Sequence, residues 1–104
     1  MTDQNATSCE VPPQASFPKA LRDPGELARR GMLVDGPHVR PLTRYARDLA
    51  ARMGSPVPLA DPLDGGVAAR LLILLETPGP RMLTTGFVSR DNPTGTAANL
   101  FRFL

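Results

Sequence analysis

The clearest pattern of apolar and polar positions lies between Pro41 and Met53. Apolar side chains recur there at helical spacing, while most of the positions between them are charged, the apolar set being Leu42, Tyr45, Ala46, Leu49, Ala50 and Met53. This spacing predicts an amphipathic helix over Pro41–Met53. Gly54 is suited to end that helix, and Pro56 prevents its continuation.

A second, shorter helix is indicated upstream. Asp23 suits the N-cap, Pro24 the first helical position and Glu26 the third, so a helix is predicted from about Pro24 to Met32. The chain before residue 17 is polar, contains proline and has no periodicity. It therefore predicts a disordered tail over residues 1–16.

Arg70–Leu75 follows a different pattern, because its five aliphatic residues come without any alternation. Such a run is typical of a strand that is covered on both faces in a parallel sheet. Met82–Val88 is predicted to form a second short extended segment, since it is rich in residues that favour strands. Thr96 is suited to cap a final helix that begins at Ala97.

Together these elements predict the fold class α/β. A strand buried on both faces needs neighbouring strands and two helix layers, but the sequence offers only one strong strand. We therefore expect an incomplete three-layer α/β/α domain over residues 17–104, with N-terminal helices followed by a central parallel-type strand. The apolar end of the last helix, Phe101–Leu104, fits the N-terminal portion of a larger domain.

Composition and charge narrow the function classes only slightly. The formal net charge is +2, and the positive excess follows residue 69, where four arginines stand against two acids. This distribution is compatible with an anionic partner. Cys9 is the only cysteine, and the sequence contains no metal-ligand spacing, signal peptide or membrane-spanning run. We expect a cytoplasmic protein without a metal, a cofactor or a membrane partner.

Candidate chemistry follows the predicted central strand directly. Glu76 would lie at the carboxyl end of that strand, where open α/β sheets bind their ligands. Thr77–Pro80 would form a rigid turn after it, and Phe87 would add an apolar ring on a segment that returns beside the strand. The same residues also suit a purely structural role, as a strand-end carboxylate, a turn and a core phenylalanine.

At these positions the sequence resembles the uracil-DNA glycosylase superfamily. Leu75–Gly79, which reads LETPG, is similar to the first motif of that superfamily and is closest to the form in its thermostable branch. Gly86 has the spacing of a glycine in the same branch, and Phe87-Val88 follows it. Asn99–Phe101 resembles the Asn-x-Phe triplet of the mismatch-specific branch. The resemblance covers about a third of the chain.

The resemblance implies that the chain excises uracil from DNA after flipping the nucleotide out of the base stack. Glu76 would direct or activate the water that attacks the sugar carbon, and Phe87 would stack on the flipped base. Pro78 and Gly79 would lie against the DNA backbone or the base, and Asn99 would assist base recognition. Uracil-containing DNA is the implied partner, and no cofactor is implied.

Several residues depart from the family pattern. Leu75 stands where the family has glycine, and Thr77 replaces alanine. Cys9 alone cannot hold the iron–sulfur cluster of the thermostable branch, and the family's second motif, a loop with a histidine, is absent. The only histidine, His38, is expected to be exposed and not catalytic. We therefore expect a truncated enzyme, impaired by itself, and the alternative is a small non-enzymatic α/β interaction module.

Overall fold

The computed structural model describes residues 11–12, 17–75 and 79–104. Most of the predicted tail, and the motif residues 76–78, lie outside this described part. The described elements form a mixed, mostly helical domain with a two-stranded parallel sheet. In chain order they are α1 (Pro24–Gly31), α2 (Arg40–Met53), β1 (Leu59–Ala60), α3 (Pro80–Thr85), β2 (Phe87–Val88) and α4 (Gly95–Phe103), with 3-10 turns at Ala20–Arg22 and Gly66–Ala68.

Helix α2 confirms the helix predicted over Pro41–Met53, but the predicted apolar face is only partly covered, because Leu42, Tyr45 and Met53 are exposed. Thr43 and Ala46 face the interior, and the Thr43 hydroxyl donates a hydrogen bond to the Val34 carbonyl oxygen at 2.7 Å. Gly54 ends the helix in the left-handed conformation, with φ of 65°, which glycine adopts readily because it has no Cβ. No helix in the described part of the chain has the length and apolar character needed to cross a membrane.

Helix α1 confirms the second helix prediction. Pro24 occupies the first turn, where its missing N–H leaves no hydrogen bond unmade, and Asp23 stands at the N-cap position. Glu26 and Arg29 form an exposed ion pair at 3.1 Å. Arg30 points the other way and is completely buried, so this helix directs a charge into the interior.

The two strands are short and pair in parallel. Leu59 aligns with Phe87 and Ala60 with Val88, and the Leu59 N–H donates to the Gly86 carbonyl oxygen at 2.8 Å. Phe87 is buried in a cluster with Leu21 and Val34. The core therefore joins the sheet to the segments on either side of α1.

The predicted central strand is wrong, because residues 71–75 form neither a strand nor a helix and their side chains are exposed. The parallel pairing exists elsewhere, between β1 and β2. An apolar run becomes a strand only when a partner strand supplies its backbone hydrogen bonds, and here β2 pairs with β1 instead.

Two further boundaries differ from the predictions. Most of the predicted extended segment Met82–Val88 is helical, because Pro80 starts α3 and Gly86, with φ of 84°, ends it before β2. The final helix begins two residues before Ala97. Its cap is Thr94, whose side-chain oxygen accepts a hydrogen bond from the Ala97 N–H at 3.1 Å.

His38 is buried, contrary to the expectation that it would be exposed. Its Nε2 lies 2.7 Å from the Pro62 carbonyl oxygen and donates a hydrogen bond to it. Its own carbonyl oxygen accepts from the Val67 N–H at 2.8 Å. These two bonds attach the loop after β1 to the segment that precedes α2.

Gly66 and Gly54 allow a test of this attachment. A Cβ on Gly66 would lie 2.3 Å from the His38 carbonyl oxygen, whereas a Cβ on Gly54 would meet no atom within 4 Å. Both residues have positive φ. We expect Gly54→Ala to lower the free energy of unfolding by about 1–2 kcal/mol through backbone strain, and Gly66→Ala by a further 1–3 kcal/mol, roughly, through the steric clash. Urea denaturation measures both, and equal losses would contradict the close approach.

Candidate functional site

The carboxyl ends of β1 and β2 meet at one edge of the sheet. Asp61 follows β1 directly, and Ser89 follows β2. Ligands of open parallel sheets bind outside this edge. A groove with a volume of about 1010 Å³ opens here, and both Asp61 and Ser89 contribute to its lining.

A buried guanidinium holds this edge together. Arg30 forms ion pairs of 2.7 Å with Asp61, 2.7 Å with Asp91 and 2.9 Å with Glu26. The side chains of Arg30, Asp61 and Asp91 are fully buried. A buried charge is tolerated when several hydrogen-bonded partners of opposite sign surround it, and Arg presents enough N–H groups for three carboxylates.

Ser89 links the two buried aspartates. Its hydroxyl donates a short hydrogen bond to Asp61 Oδ2, and its oxygen accepts from the Asp91 N–H at 2.9 Å. The other oxygen of Asp61 accepts from the Leu63 N–H at 2.9 Å. We call Glu26, Arg30, Asp61, Ser89 and Asp91 the Arg30 cluster. Its bonds fix the positions of both strand ends relative to α1.

The cluster changes the proton affinities of its members. Burial raises the pKa of Asp61, although the hydrogen bonds from Ser89 and Leu63 and the charge of Arg30 oppose that rise. Burial by itself would lower the pKa of Arg30, but the surrounding carboxylates outweigh it and raise that pKa. Arg30 therefore stays charged, and Asp61 takes up a proton more readily than an exposed aspartate.

Asp64 and Arg90 form the polar side of the groove. Asp64 Oδ1 lies 3.5 Å from Arg90 Nε, and both side chains are partly exposed. Burial raises the pKa of Asp64, while the charge of Arg90 opposes the rise. The Arg90 guanidinium carbon also lies 5.7 Å from the centre of the Phe101 ring, which gives a cation–π contact.

The lining of the groove is also rich in apolar residues. We call aliphatic wall the part of the lining that comes from the segment after Arg70 and from the end of the chain, namely Leu71, Leu72, Ile73, Leu75, Leu100 and Leu104. A ligand in this groove would meet aliphatic carbon together with a carboxylate, a guanidinium and two threonines. This combination suits a molecule with a flat apolar face and polar edges.

Only the two end residues of the predicted motif Leu75–Gly79 are described, and both line the groove. Glu76 and Pro78, the candidate acid and one of the candidate turn residues, lie outside the described residues. Leu75 and Gly79, which flank them, both line the groove. Gly79 has φ of −78° and precedes α3, so its backbone conformation is one that other residues also adopt.

The other two predicted site residues lie apart from this groove. The ring of Phe87 is buried in the core with Leu21 and Val34. Asn99 is exposed on α4, and its side-chain oxygen accepts from Arg102 at 3.5 Å. Neither residue appears in the lining of the groove.

The Arg30 cluster is absent from the sequence-based prediction. Arg30 lies one helical turn after Glu26 and Leu27, which places these residues on the same helix face, and this is the one signal of an inward-facing arginine. Asp61 and Asp91 stand in Pro- and Gly-rich connections, where an aspartate ordinarily indicates a turn. No local sequence pattern predicts that these two aspartates pair with a distant arginine.

Within the described ranges, no group of three or more His, Cys, Asp or Glu side chains is arranged to hold a metal ion. The carboxylates of the Arg30 cluster converge on a guanidinium instead. Comparisons with protein-family models, curated proteins and solved structures found no match for this chain. Its function must therefore be inferred from its own residues.

Removal of the buried guanidinium should be far more harmful than removal of its exposed neighbour. Arg30→Met leaves Asp61 and Asp91 buried without their cation, and we expect a loss of about 3–5 kcal/mol in the free energy of unfolding. Arg29→Met removes an arginine that is 43% exposed and breaks its surface pair with Glu26, and it should cost less than about 1 kcal/mol. Urea denaturation distinguishes the two, and similar losses would show that the cluster contributes little.

The raised pKa values of Asp61 and Asp64 predict how stability depends on pH. Both carboxyls bind a proton more tightly in the folded chain than in the unfolded chain, where the ordinary pKa is 3.8. Their contribution is therefore complete below that value and is lost as the pH rises through the raised pKa values. Asp61→Asn should flatten this part of the stability–pH curve, measured by denaturation at a series of pH values. The exposed Asp48 supplies the control Asp48→Asn, and an equal flattening there would contradict the assignment.

Proposed function

We propose that this protein is a uracil-DNA glycosylase-like hydrolase. It would bind uracil-containing DNA, accept a flipped base in the groove and direct water to the glycosidic bond through Glu76. The observation that supports this function is the position of the two residues that flank the proposed acid. Leu75 and Gly79, which flank the proposed acid, line a groove at the carboxyl edge of a parallel sheet.

The surface of the groove suits a nucleobase. A pyrimidine has a flat face, which stacks on apolar surface, and an edge of hydrogen-bonding groups. The aliphatic wall can cover the face, while the threonine hydroxyls and the Asp64–Arg90 pair lie beside the edge. Since extrusion of a base from duplex DNA costs a few kcal/mol, such a surface would offset part of that free energy.

The roles of Phe87 and Asn99 stay predictions. The ring of Phe87 already fills the core, so stacking on a base would require it to leave that position. Asn99 would have to reach the base from the exposed face of α4. The aliphatic wall is the described surface that lies open to a base, and it is the more accessible stacking platform.

A fuller α/β/α architecture forms part of this proposal. The parallel pairing of β1 with β2 is the arrangement that a three-layer domain would extend. Elements of those further layers would pack on part of the exposed apolar surface of the described domain. A cytoplasmic location forms part of the same proposal.

An excision assay on synthetic DNA tests the function. The chain is incubated with single-stranded and duplex oligonucleotides that carry one uracil, and abasic sites are detected by alkaline cleavage. We expect slow but measurable excision, since the single histidine is held by Pro62 and is not placed to stabilise the departing base. Glu76→Gln should lower the rate by roughly 100-fold or more, the usual contribution of a general base.

A matched control is Asp48→Asn, which removes an exposed carboxylate on α2 and should leave the rate unchanged. Matched oligonucleotides with thymine in place of uracil provide the substrate control. The proposed function is wrong if uracil is not released and binding does not distinguish uracil from thymine. It is also wrong if Glu76→Gln excises at the parent rate.

The exposed aliphatic segment favours a second candidate, a small non-enzymatic α/β interaction module. Residues 71–75 present apolar side chains to solvent with no charge among them, and exposed patches of this kind mark docking sites. Under this alternative the chain binds a partner through the segment and shows no excision. The oligonucleotide assay separates the two candidates.

A further inference from the structure

Helix α2 concentrates positive charge on its exposed side. Its 14 residues contain four arginines and one aspartate, so its formal charge is +3, whereas the whole chain carries +2. All four arginines are exposed, and we call Arg40, Arg44, Arg47 and Arg52 the arginine face. The eight basic and eight acidic residues before residue 70 balance in number, so the average over that part of the sequence hides this concentration.

The spacing of the first three arginines places them in one row. Arg40, Arg44 and Arg47 are four and three residues apart, which is the spacing of neighbours on a helix surface. At about 1.5 Å per residue they extend over roughly 10 Å, and Arg52 lengthens the charged stretch to about 18 Å. The helix therefore presents several cations along a line, which matches the regular charges of a linear polyanion.

The arginine face keeps hydrogen-bond donors for an external anion. Arg40 Nε donates to the Asp35 carbonyl oxygen at 2.9 Å, and Arg47 pairs with the Asp35 carboxylate at 3.1 Å. Arg44 and Arg52 make no ion pair with any described residue. Since a guanidinium has five N–H donors, the contacts with Asp35 orient two of the arginines without using all of their donors.

We propose that the arginine face holds the phosphate backbone of duplex DNA. Guanidinium groups match the geometry of phosphates, and a pI of about 9.3 with arginines clustered along one helix is the electrostatic pattern of a nucleic-acid-binding domain. Tyr45 is 63% exposed on the same helix and adds a hydroxyl that can donate to a phosphate. The inference rests on the proposed function for its choice of DNA, and it assigns the surface that binds the backbone.

Helix α2 also borders the groove, because Leu42 contributes to the groove lining. An α-helix with its side chains is about 10–12 Å across. A phosphate on the arginine face would thus lie within roughly one helix diameter of the groove. A duplex held by α2 would therefore lie beside the groove that is proposed to accept the flipped base.

Burial and shape disfavour other partners for this surface. A membrane would require the apolar side of α2 to enter the lipid, but Thr43 and Ala46 on that side are buried in the core. A protein partner would need pockets for its anchoring side chains, and none of the four arginines lines the groove. Backbone phosphates require only accessible cations.

Fluorescence anisotropy with a short duplex oligonucleotide that contains no uracil tests this surface. The association constant of the parent chain should fall steeply as the salt concentration rises, because each phosphate contact releases counterions. Arg44→Gln combined with Arg52→Gln should reduce the slope of log K against log salt by about 2, since two contacts of roughly 0.9 each are lost. Binding at about 0.1 M salt should weaken by roughly 10–100-fold.

Two matched variants isolate the effect of charge at these positions. Arg44→Lys combined with Arg52→Lys keeps both charges and should keep a slope close to that of the parent. Arg22→Gln combined with Arg29→Gln removes two exposed charges outside the arginine face and should leave the slope unchanged. Urea denaturation of each variant verifies the fold, and the Arg44/Arg52 glutamine variant should unfold at the same urea concentration as the parent.

A parent chain that does not bind the duplex would overturn the proposal. So would equal slopes for the parent and the Arg44/Arg52 glutamine variant, an equal reduction in the Arg22/Arg29 control, or tighter binding to polyglutamate or to vesicles of anionic phospholipid than to the duplex. Because the oligonucleotide lacks uracil, binding and excision can fail separately. A reduced slope without excision would contradict only the proposed function, and excision with an unchanged slope would contradict only the role of the arginine face.

Discussion

The fold depends on the desolvated guanidinium of Arg30. A sheet with two residues in each strand has too few backbone hydrogen bonds to hold its own geometry. Ion pairs from Arg30 to Asp61 and Asp91, supported by Ser89, supply the missing constraint at the carboxyl edge. Helix α1 is thereby joined to both strands through a single side chain.

The candidate functional groove lies at the same edge of the sheet. The residues there that hold the fold together are different from those that a ligand could contact. Asp61 and Asp91 are committed to Arg30, so their carboxylates serve the fold. Asp64 and Arg90, one step nearer the solvent, remain accessible in the groove. The groove thus combines the fixed residues of the Arg30 cluster, the polar Asp64–Arg90 pair and the aliphatic wall. This combination suits a small planar ligand.

The sequence predicts the helices well because their determinants are local. Apolar spacing and the cap at Gly54 define α2, and the proline at the first turn defines α1. The prediction of a strand at residues 70–75 is wrong because a strand forms only beside a partner strand. Composition alone does not show whether such a partner strand is present. The strands that do form are two residues long, too short for any period to appear. For the site, the sequence predicts Glu76 at the end of a strand that does not form, so the position of Leu75 and Gly79 beside the β1–β2 edge does not follow from it. The Arg30 cluster depends on residues that are distant in the chain.

That distance has a consequence for the order of folding. Glu26 lies one helical turn from Arg30 and can meet it early, but Asp61 and Asp91 must be brought in from two later segments. Before they arrive, burial of the guanidinium is strongly unfavourable, so the interior cannot close around α1 in stages. Burial of Arg30 should therefore accompany closure of these long loops. The domain should gain its sheet edge, its groove and its core in one cooperative event.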